Sequence, residues 1–203
     1  MKYIQPLHVA IFVYDDAEPL DFTGPFEVFA TANRMAERLG KPSPFRPFLV
    51  GKTGEPVTAR GGLRVMPNYA IDDHPSVDVL IVPGGLHEPQ MAREDLQDWI
   101  WQRYKDTMVV ASVCTGAFIL ADAGVLDRKK VITHHEDMEL LQEKFPLVKV
   151  QIGSKKRFID EGGIVTSAGV SAGIDMSLHL VERFAGMELK DAVIENMEWE
   201  MGR

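Results

Sequence analysis

The chain has 203 residues, 45% of them hydrophobic and 26% charged, and its 30 acidic against 22 basic side chains give a formal net charge of -8. That balance is ordinary for a folded domain and excludes wholesale disorder, while the negative excess works against nonspecific binding to phosphate backbones by this chain alone. A single cysteine excludes an internal disulfide and a zinc site built on paired cysteines.

The N-terminal MKYIQPLHVAIFVY holds an apolar run of strand length followed by Asp15 and Asp16. Neither a membrane span nor a secretory signal is read from it, and a reducing cytoplasm is the expected location. Leu7 to Val13 is the first expected strand. The turn DDAEPLDFTGPFEV then leads into a helix expected from Gly24 or Pro25 to Leu39, with Pro25 in its first turn and Thr23 as its cap. Phe45 to Val50 is a second strand, which Pro47 assigns to an edge position or to a later start at Phe48, because proline has no N–H to give a ladder. Val57 to Pro67, with Gly61 and Gly62 inside it, reads as a short hairpin. Val77 to Val82 is a third core strand and runs into Pro83, Gly84 and Gly85.

A helix is expected over Glu94 to Tyr104, then a strand over Met108 to Val113 and a helix over Thr115 to Gly124. Strands at Val131 to Thr133 and Val148 to Ile152 flank a helix from Glu136 to Lys144. A strand pair follows at Arg157 to Asp160 and Ile164 to Ser167, and helices over Ser171 to Phe184 and Leu189 to Glu200 come last. The basic clusters at Arg128 to Lys130 and Lys155 to Arg157 fall in turns and read as solvated loops. Strands alternating with helices, most apolar on both faces, indicate one domain over residues 1–203: a three-layer α/β/α sandwich on a mainly parallel sheet. Ligands of such sheets bind beyond the carboxyl ends of the strands, where strand order reverses. The Asp21 turn, the Gly84 and Gly85 loop, the Cys114 residue and the Thr166 to Gly169 loop all lie at such ends and are expected to line one pocket.

Cys114 stands in ASVCTGAF, where an apolar, β-branched strand turns at once into a helix. That pattern is a nucleophile elbow, which projects its central side chain at the sheet edge. The helix start behind it offers unpaired N–H groups and a positive dipole end, so a thiolate with a pKa of ~3.5–7.5 instead of ~8.5 is expected. Gly84 and Gly85 follow a strand directly, where glycine serves a tight turn or lets backbone N–H groups approach a ligand closely, and the Thr115 hydroxyl is a candidate contact to a polar substrate atom or a helix cap. Ser167, with the small residues that follow it, offers room for a ligand or close helix packing. The histidines offer no metal-ligand spacing: His135 with Glu136 is too little, and His8, His74, His87 and His179 are scattered. His134 stands at a strand end and reads as a structural hydrogen-bonding side chain that can border the pocket.

Five segments carry a resemblance to a known family. LDFTGPFEVF, DVLIVPGG, ASVCTGAFILADAGVLD, the threonine and histidine of VITHH, and TSAGVSAGIDMSLHLVE resemble the ThiJ/PfpI superfamily of class I glutamine amidotransferase-like folds. Within it they are similar to the branch of isonitrile hydratases and the sensor domains of AraC-type regulators. The resemblance runs from about residue 7 to residue 200 and implies a flavodoxin-like fold. It implies that Cys114 is the nucleophile, that Asp21 is the acid beside its sulfur, and that the Gly84 and Gly85 loop forms part of an oxyanion-type site with the N–H groups of Thr115 and Gly116. A carboxyl buried beside a thiolate keeps its proton at neutral pH and can donate it.

The chain departs from two branches of that superfamily. The residue after the nucleophile, histidine in many PfpI-like proteases, is Thr115, and the late histidine and glutamate of the amidotransferase triad are replaced by TSAGVSAGID. Peptidase and glutaminase chemistry are therefore not expected. The resemblance implies a cofactor-free, metal-free hydration of an isocyanide to an N-substituted formamide. A ligand-sensing domain and a glyoxalase-like or redox-sensing thiol protein are the alternatives. A stand-alone DNA-binding regulator is disfavoured by the chain's end at Arg203. A homodimer is expected, with Met197 and Trp199 available for the contact.

Overall fold

The computed structural model describes residues 5–200. Its strands in chain order are β1 (Leu7–Phe12), β2 (Phe45–Gly51), β3 (Val57–Thr58), β4 (Arg64–Val65), β5 (Tyr69–Ala70), β6 (Val79–Val82), β7 (Val109–Ser112), β8 (Lys130–Val131), β9 (Lys149–Val150), β10 (Phe158–Asp160) and β11 (Ile164–Ser167). The helices are α1 (Pro19–Arg38), α2 (Glu88–Met91), α3 (Glu94–Asp106), α4 (Gly116–Asp122), α5 (Met138–Lys144), α6 (Ala172–Ala185) and α7 (Met187–Asn196).

Seven strands form one sheet in the order β10-β11-β7-β6-β1-β2-β5, parallel throughout except where β10 meets β11. Helices α1, α6 and α7 pack together on one face, while α2, α3 and α4 pack on the other, giving the three layers the alternation predicts. The central strands are apolar on both faces because both are covered: every residue of β6 and β7 is buried. Each buried aliphatic side chain there contributes ~1.5–3 kcal/mol of hydrophobic stabilisation. From β1 the chain first moves outward to β2, then returns to the other side of β1 with β6 and continues through β7. The order therefore reverses between β1 and β6, and the carboxyl ends of those strands open the crevice where a ligand of this fold is received.

Several local expectations are corrected. Helix α1 starts at Pro19, not at Gly24 or Pro25, and Glu18 occupies the cap position. Thr23 lies within the helix, donating its hydroxyl to the Pro19 carbonyl at 2.8 Å. Proline at the first helical position suits Pro19 as well as it suits Pro25, and the earlier one wins. As a result Asp21 belongs to the first turn of a rigid helix. Pro47 is accommodated inside β2 because β5 covers only Val50 and Gly51. The Leu49 N–H faces that same outer edge, where Asn68 accepts it at 2.8 Å, so the nitrogen of Pro47 two residues earlier faces open edge too. Strands β8 and β9 pair with each other in a separate two-stranded parallel sheet and do not join the main one. The hairpin expected over Val57 to Pro67 is present over residues 57–65 as the antiparallel β3–β4 pair. Among the described residues no helix is long and apolar enough to cross a membrane.

Candidate active site

Cys114 follows β7 and adopts φ 55°, the left-handed region that a side chain other than glycine rarely enters. Holding it there costs ~1–3 kcal/mol, so the surroundings must over-determine it. They do so from both sides of the residue: the Cys114 N–H donates to the Ala168 carbonyl at 3.2 Å, and its carbonyl accepts the Thr133 hydroxyl at 2.7 Å. Across from the elbow, Val170 has φ 46°, an outlier for a β-branched residue. Its N–H and that of Thr115 both favour negative charge on the Cys114 sulfur.

The sulfur nonetheless holds its proton tightly. Burial is the larger influence and the Asp21 charge the next, and together they outweigh the two N–H groups and push the thiol up to about 12. The thiolate expected from the helix start is thus overturned. Helix α4 has only seven residues, a short stack of peptide dipoles, and Cys114 is just 7% exposed to water.

Asp21 is fully buried and no cation pairs with it within salt-bridge distance among the described residues. Its Oδ2 accepts the Gly84 N–H at 2.9 Å, while Oδ1 makes no hydrogen bond. Burial, the dominant cause, and the nearby Glu18 charge raise its pKa to about 7, against the opposing pull of the Gly84 N–H, the Cys114 thiol and Arg60. The expectation of a carboxyl that keeps its proton toward neutrality follows from burial as anticipated. Tyr14, just past β1, stands over the same pair, and its hydroxyl donates to the Pro83 carbonyl at 3.2 Å. Burial and the charges of Asp21 and Cys114 hold its pKa well above the ordinary phenol value.

Gly84 is glycine because nothing else fits. A Cβ there would lie 2.7 Å from the Thr115 nitrogen and 2.9 Å from Asp21 Oδ2, so the bare backbone lets acid, loop and elbow meet. Three of the four donors expected for an oxyanion site are, however, engaged internally, and the fourth, the Thr115 N–H, acts on the Cys114 sulfur. The Gly84 N–H serves Asp21, the Gly85 N–H donates to the Thr115 hydroxyl at 3.0 Å, and the Gly116 N–H donates to the Val113 carbonyl at 3.0 Å. Thr115 uses its hydroxyl to fasten the loop to the elbow.

A pocket of about 450 Å³ opens onto the sulfur. Of the expected site residues, Cys114, Thr115 and Gly85 line it, while Asp21, Gly84 and Gly116 lie behind that wall. Ser167 is not in the lining: it is fully buried, and its hydroxyl reaches the Ser112 and Ala168 carbonyls at 3.3 Å each. Its place is beneath the elbow. His134 does border the pocket, its ring pressed so closely on Gly169 that a Cβ at that position would come 2.2 Å from Cδ2. Its Nδ1 lies 3.5 Å from Asp137, and His135 is well exposed. Sequence reasoning missed Glu18, Arg60 and His87. Arg60 comes from the turn between β3 and β4 and reaches Glu18 at 3.4 Å across the mouth, and His87 packs against Phe118 with ring centroids 4.4 Å apart and planes tilted by 34°. Only the paired glycines at 61 and 62 signalled the turn that presents Arg60, and they did not say where it docks. No group of three or more histidine, cysteine, aspartate or glutamate side chains among the described residues is arranged to hold a metal ion.

Comparison with known proteins adds to this geometry. Residues 7–183 match the model of the DJ-1/PfpI family. The chain is 31% identical to the isonitrile hydratase of Pseudomonas putida over 194 residues, covering 95% of this chain and 78% of the hydratase. It is 32% identical over 167 residues to the HTH-type transcriptional regulator GbdR of Pseudomonas aeruginosa, which covers 82% of this chain but 45% of the regulator. Among solved structures, a ThiJ/PfpI family protein from Pseudomonas syringae superposes with a TM-score of 0.84 at 23% identity, covering 98% of this chain and 77% of that one.

Proposed function

The chain belongs to the DJ-1/PfpI family, and from that premise we propose that it is a cysteine enzyme that hydrates a small isocyanide to the N-substituted formamide. The observation that carries the reading is the pairing of a strained thiol at a pocket with a buried, cation-free carboxyl behind it. No histidine partner is needed for what such a pair can do. In the state that holds one proton between them, Asp21 takes the proton from Sγ as sulfur bonds to the terminal carbon of R–N≡C. Asp21 then returns that proton to the same carbon, giving the thioimidate R–N=CH–S–Cys. Water adds to this carbon, one of its protons passing through Asp21 to the nitrogen, and collapse of R–NH–CH(OH)–S–Cys to R–NH–CHO expels the sulfur, which takes the hydroxyl proton by way of Asp21. One water is consumed and nothing is oxidised or reduced, so the sequence of steps calls on no cofactor.

The raised pKa of Asp21 suits this role, since a carboxylate that binds a proton more strongly than usual is the better base toward a buried thiol. The test is incubation of wild type, Cys114→Ala and Asp21→Ala with a set of alkyl isocyanides, following formamide by mass spectrometry. Equal turnover in all three ends the reading. A second reading, a ligand-sensing domain, is favoured by the similarity to the regulator over 82% of this chain. Tight isocyanide or metabolite binding with no product in wild type selects it. The reading includes a cytoplasmic homodimer; Met197 and Trp199 are half-buried in the wall of an apolar hollow beside α1, and sedimentation giving only a 22.7 kDa species removes the dimer.

A further inference from the structure

The threonine of VITHH has no part in the chemistry above, yet it makes the shortest of the three hydrogen bonds that hold the strained Cys114 peptide, the others being to Ala168 at 3.2 Å and from the Ala117 N–H at 3.4 Å. Thr133 is fully buried, and its hydroxyl has a single recorded partner, the Cys114 carbonyl at 2.7 Å. The segment that carries it is itself pinned. The Ile132 N–H donates to the hydroxyl of Thr166 on β11 at 2.9 Å, and Thr166 is paired in register with Ser112, two residues before the elbow. The two threonines thus connect the last strand of the parallel run to the nucleophile's own carbonyl. The opposite end of the Cys114 peptide is held by Ala168, whose N–H is fixed in turn to the Arg157 carbonyl at 2.8 Å.

We infer that Thr133 is a positioning residue for Cys114, acting through its hydroxyl on the Cys114 carbonyl to keep the thiol in its strained, buried presentation toward the pocket. The inference rests on the reading of Cys114 as the nucleophile. A positive φ at a side chain persists only while its neighbours enforce it, and of the two donors on the Cys114 carbonyl the Thr133 hydroxyl at 2.7 Å is far closer than the Ala117 N–H at 3.4 Å, which belongs to the elbow's own turn and moves with it. Remove that hydroxyl and the elbow can rotate toward ordinary backbone, carrying Sγ away from Asp21 and from the N–H groups of Thr115 and Val170. Small displacements of a reacting atom cost rate steeply while leaving the rest of the binding surface in place.

The experiment compares Thr133→Val, which keeps the shape and deletes the donor, with Thr133→Ser, which keeps the donor. Two readouts are taken: isocyanide hydration, and alkylation of Cys114 by iodoacetamide across pH, which needs no substrate. Thr133→Val is expected to lose ~10-fold or more in kcat with KM within ~2-fold, and Thr133→Ser to stay within ~3-fold of wild type. In the valine variant the alkylation profile should also move toward the ordinary thiol range, because the loosened sulfur gains water. Unchanged kcat and an unchanged alkylation profile in the valine variant overturn the inference, as does equal impairment of the serine and valine variants. Should wild type hydrate no isocyanide, the alkylation profiles alone decide the role of Thr133, so the two readings fail separately. If Thr133→Val does not fold, Thr166→Val is read the same way. The carbonyl-carbon chemical shift of Cys114 in the wild-type protein then provides a check without any substitution, and a shift typical of an unbonded carbonyl overturns the inference.

Discussion

Two carboxylates lie almost wholly out of water in this molecule, and they are treated in opposite ways. Asp175, on α6, receives the Arg157 Nε at 2.6 Å on one oxygen and the Trp199 indole N–H at 2.8 Å on the other. Asp21, on α1, receives one backbone N–H and has an oxygen with none. The first is a latch: the charge is satisfied, and it ties the residues after α7 to α6 and to the segment before β10. The second is held short of satisfaction beside the one thiol of the chain. Burial alone therefore says little about a carboxylate's purpose. What distinguishes Asp21 is the partner it lacks.

The sharpest way to break the comparison is Cys114→Ala, which removes the group that the Asp21 proton serves. Formamide production should fall by ~1000-fold or more, with the melting temperature little changed. Asp175→Ala attacks the other side. It leaves Arg157 without its carboxylate and the Trp199 indole without its acceptor, at a cost of about 3 kcal/mol, or a melting temperature lower by ~6–12 °C, while turnover per folded molecule stays near wild type. Differential scanning calorimetry alongside the isocyanide assay reads both, and a fall in activity matching that of the elbow variants would erase the distinction between latch and acid.

Asp21→Asn should reverse that pattern, losing ~100-fold in kcat while folding at least as stably as wild type above neutral pH. The folded protein binds a proton at Asp21 that the unfolded chain has already released between pH 3.8 and about 7, so wild type loses stability relative to the asparagine variant as pH rises through that window. Chemical denaturation of both proteins at a series of pH values measures the divergence, on the order of a few kcal/mol at most. The smallest effect is on the wild-type rate itself. The working state has one proton shared by Asp21 and Cys114, so kcat/KM should climb with pH through a midpoint near 7 and then stay level toward the thiol's own ionisation near 12. A profile that falls across pH 7 would require a doubly protonated pair and a different mechanism.

Much of this was legible beforehand, for identifiable reasons. The alternation of short apolar strands with helices is a local pattern, and it fixes the layers. The elbow is local too, since MVVAS against CTGAF changes period within two residues. The acid was legible only through its motif, and its place in the first turn of α1 was not, because Pro19 and Pro25 are equally good openings and tertiary packing chose between them. The thiol's protonation was misjudged for a related reason. A helix start can be seen in sequence, but the burial of Cys114 and the charge of Asp21 are brought by residues from other parts of the chain. Val170 gave no signal at all, as no residue type predicts a β-branched side chain at positive φ. Arg60 and His87 reach the pocket through loops whose docking depends on contacts distant in sequence.

The reversal of strand order places the acid after β1, the glycine pair after β6 and the thiol after β7, on three neighbouring strands. Adjacent strands lie ~4.8 Å apart by hydrogen bonding, so the sheet sets the frame for acid and thiol, and the short turns after β1 and β7 complete their placement. Heritable change is partitioned accordingly. Connections that touch neither the crevice nor the residues bracing the elbow can lengthen or drift over generations without moving Cys114 or Asp21. A slip of one residue in β1, β6 or β7 shifts its end by ~3.3 Å and would extinguish the lineage's chemistry at a stroke.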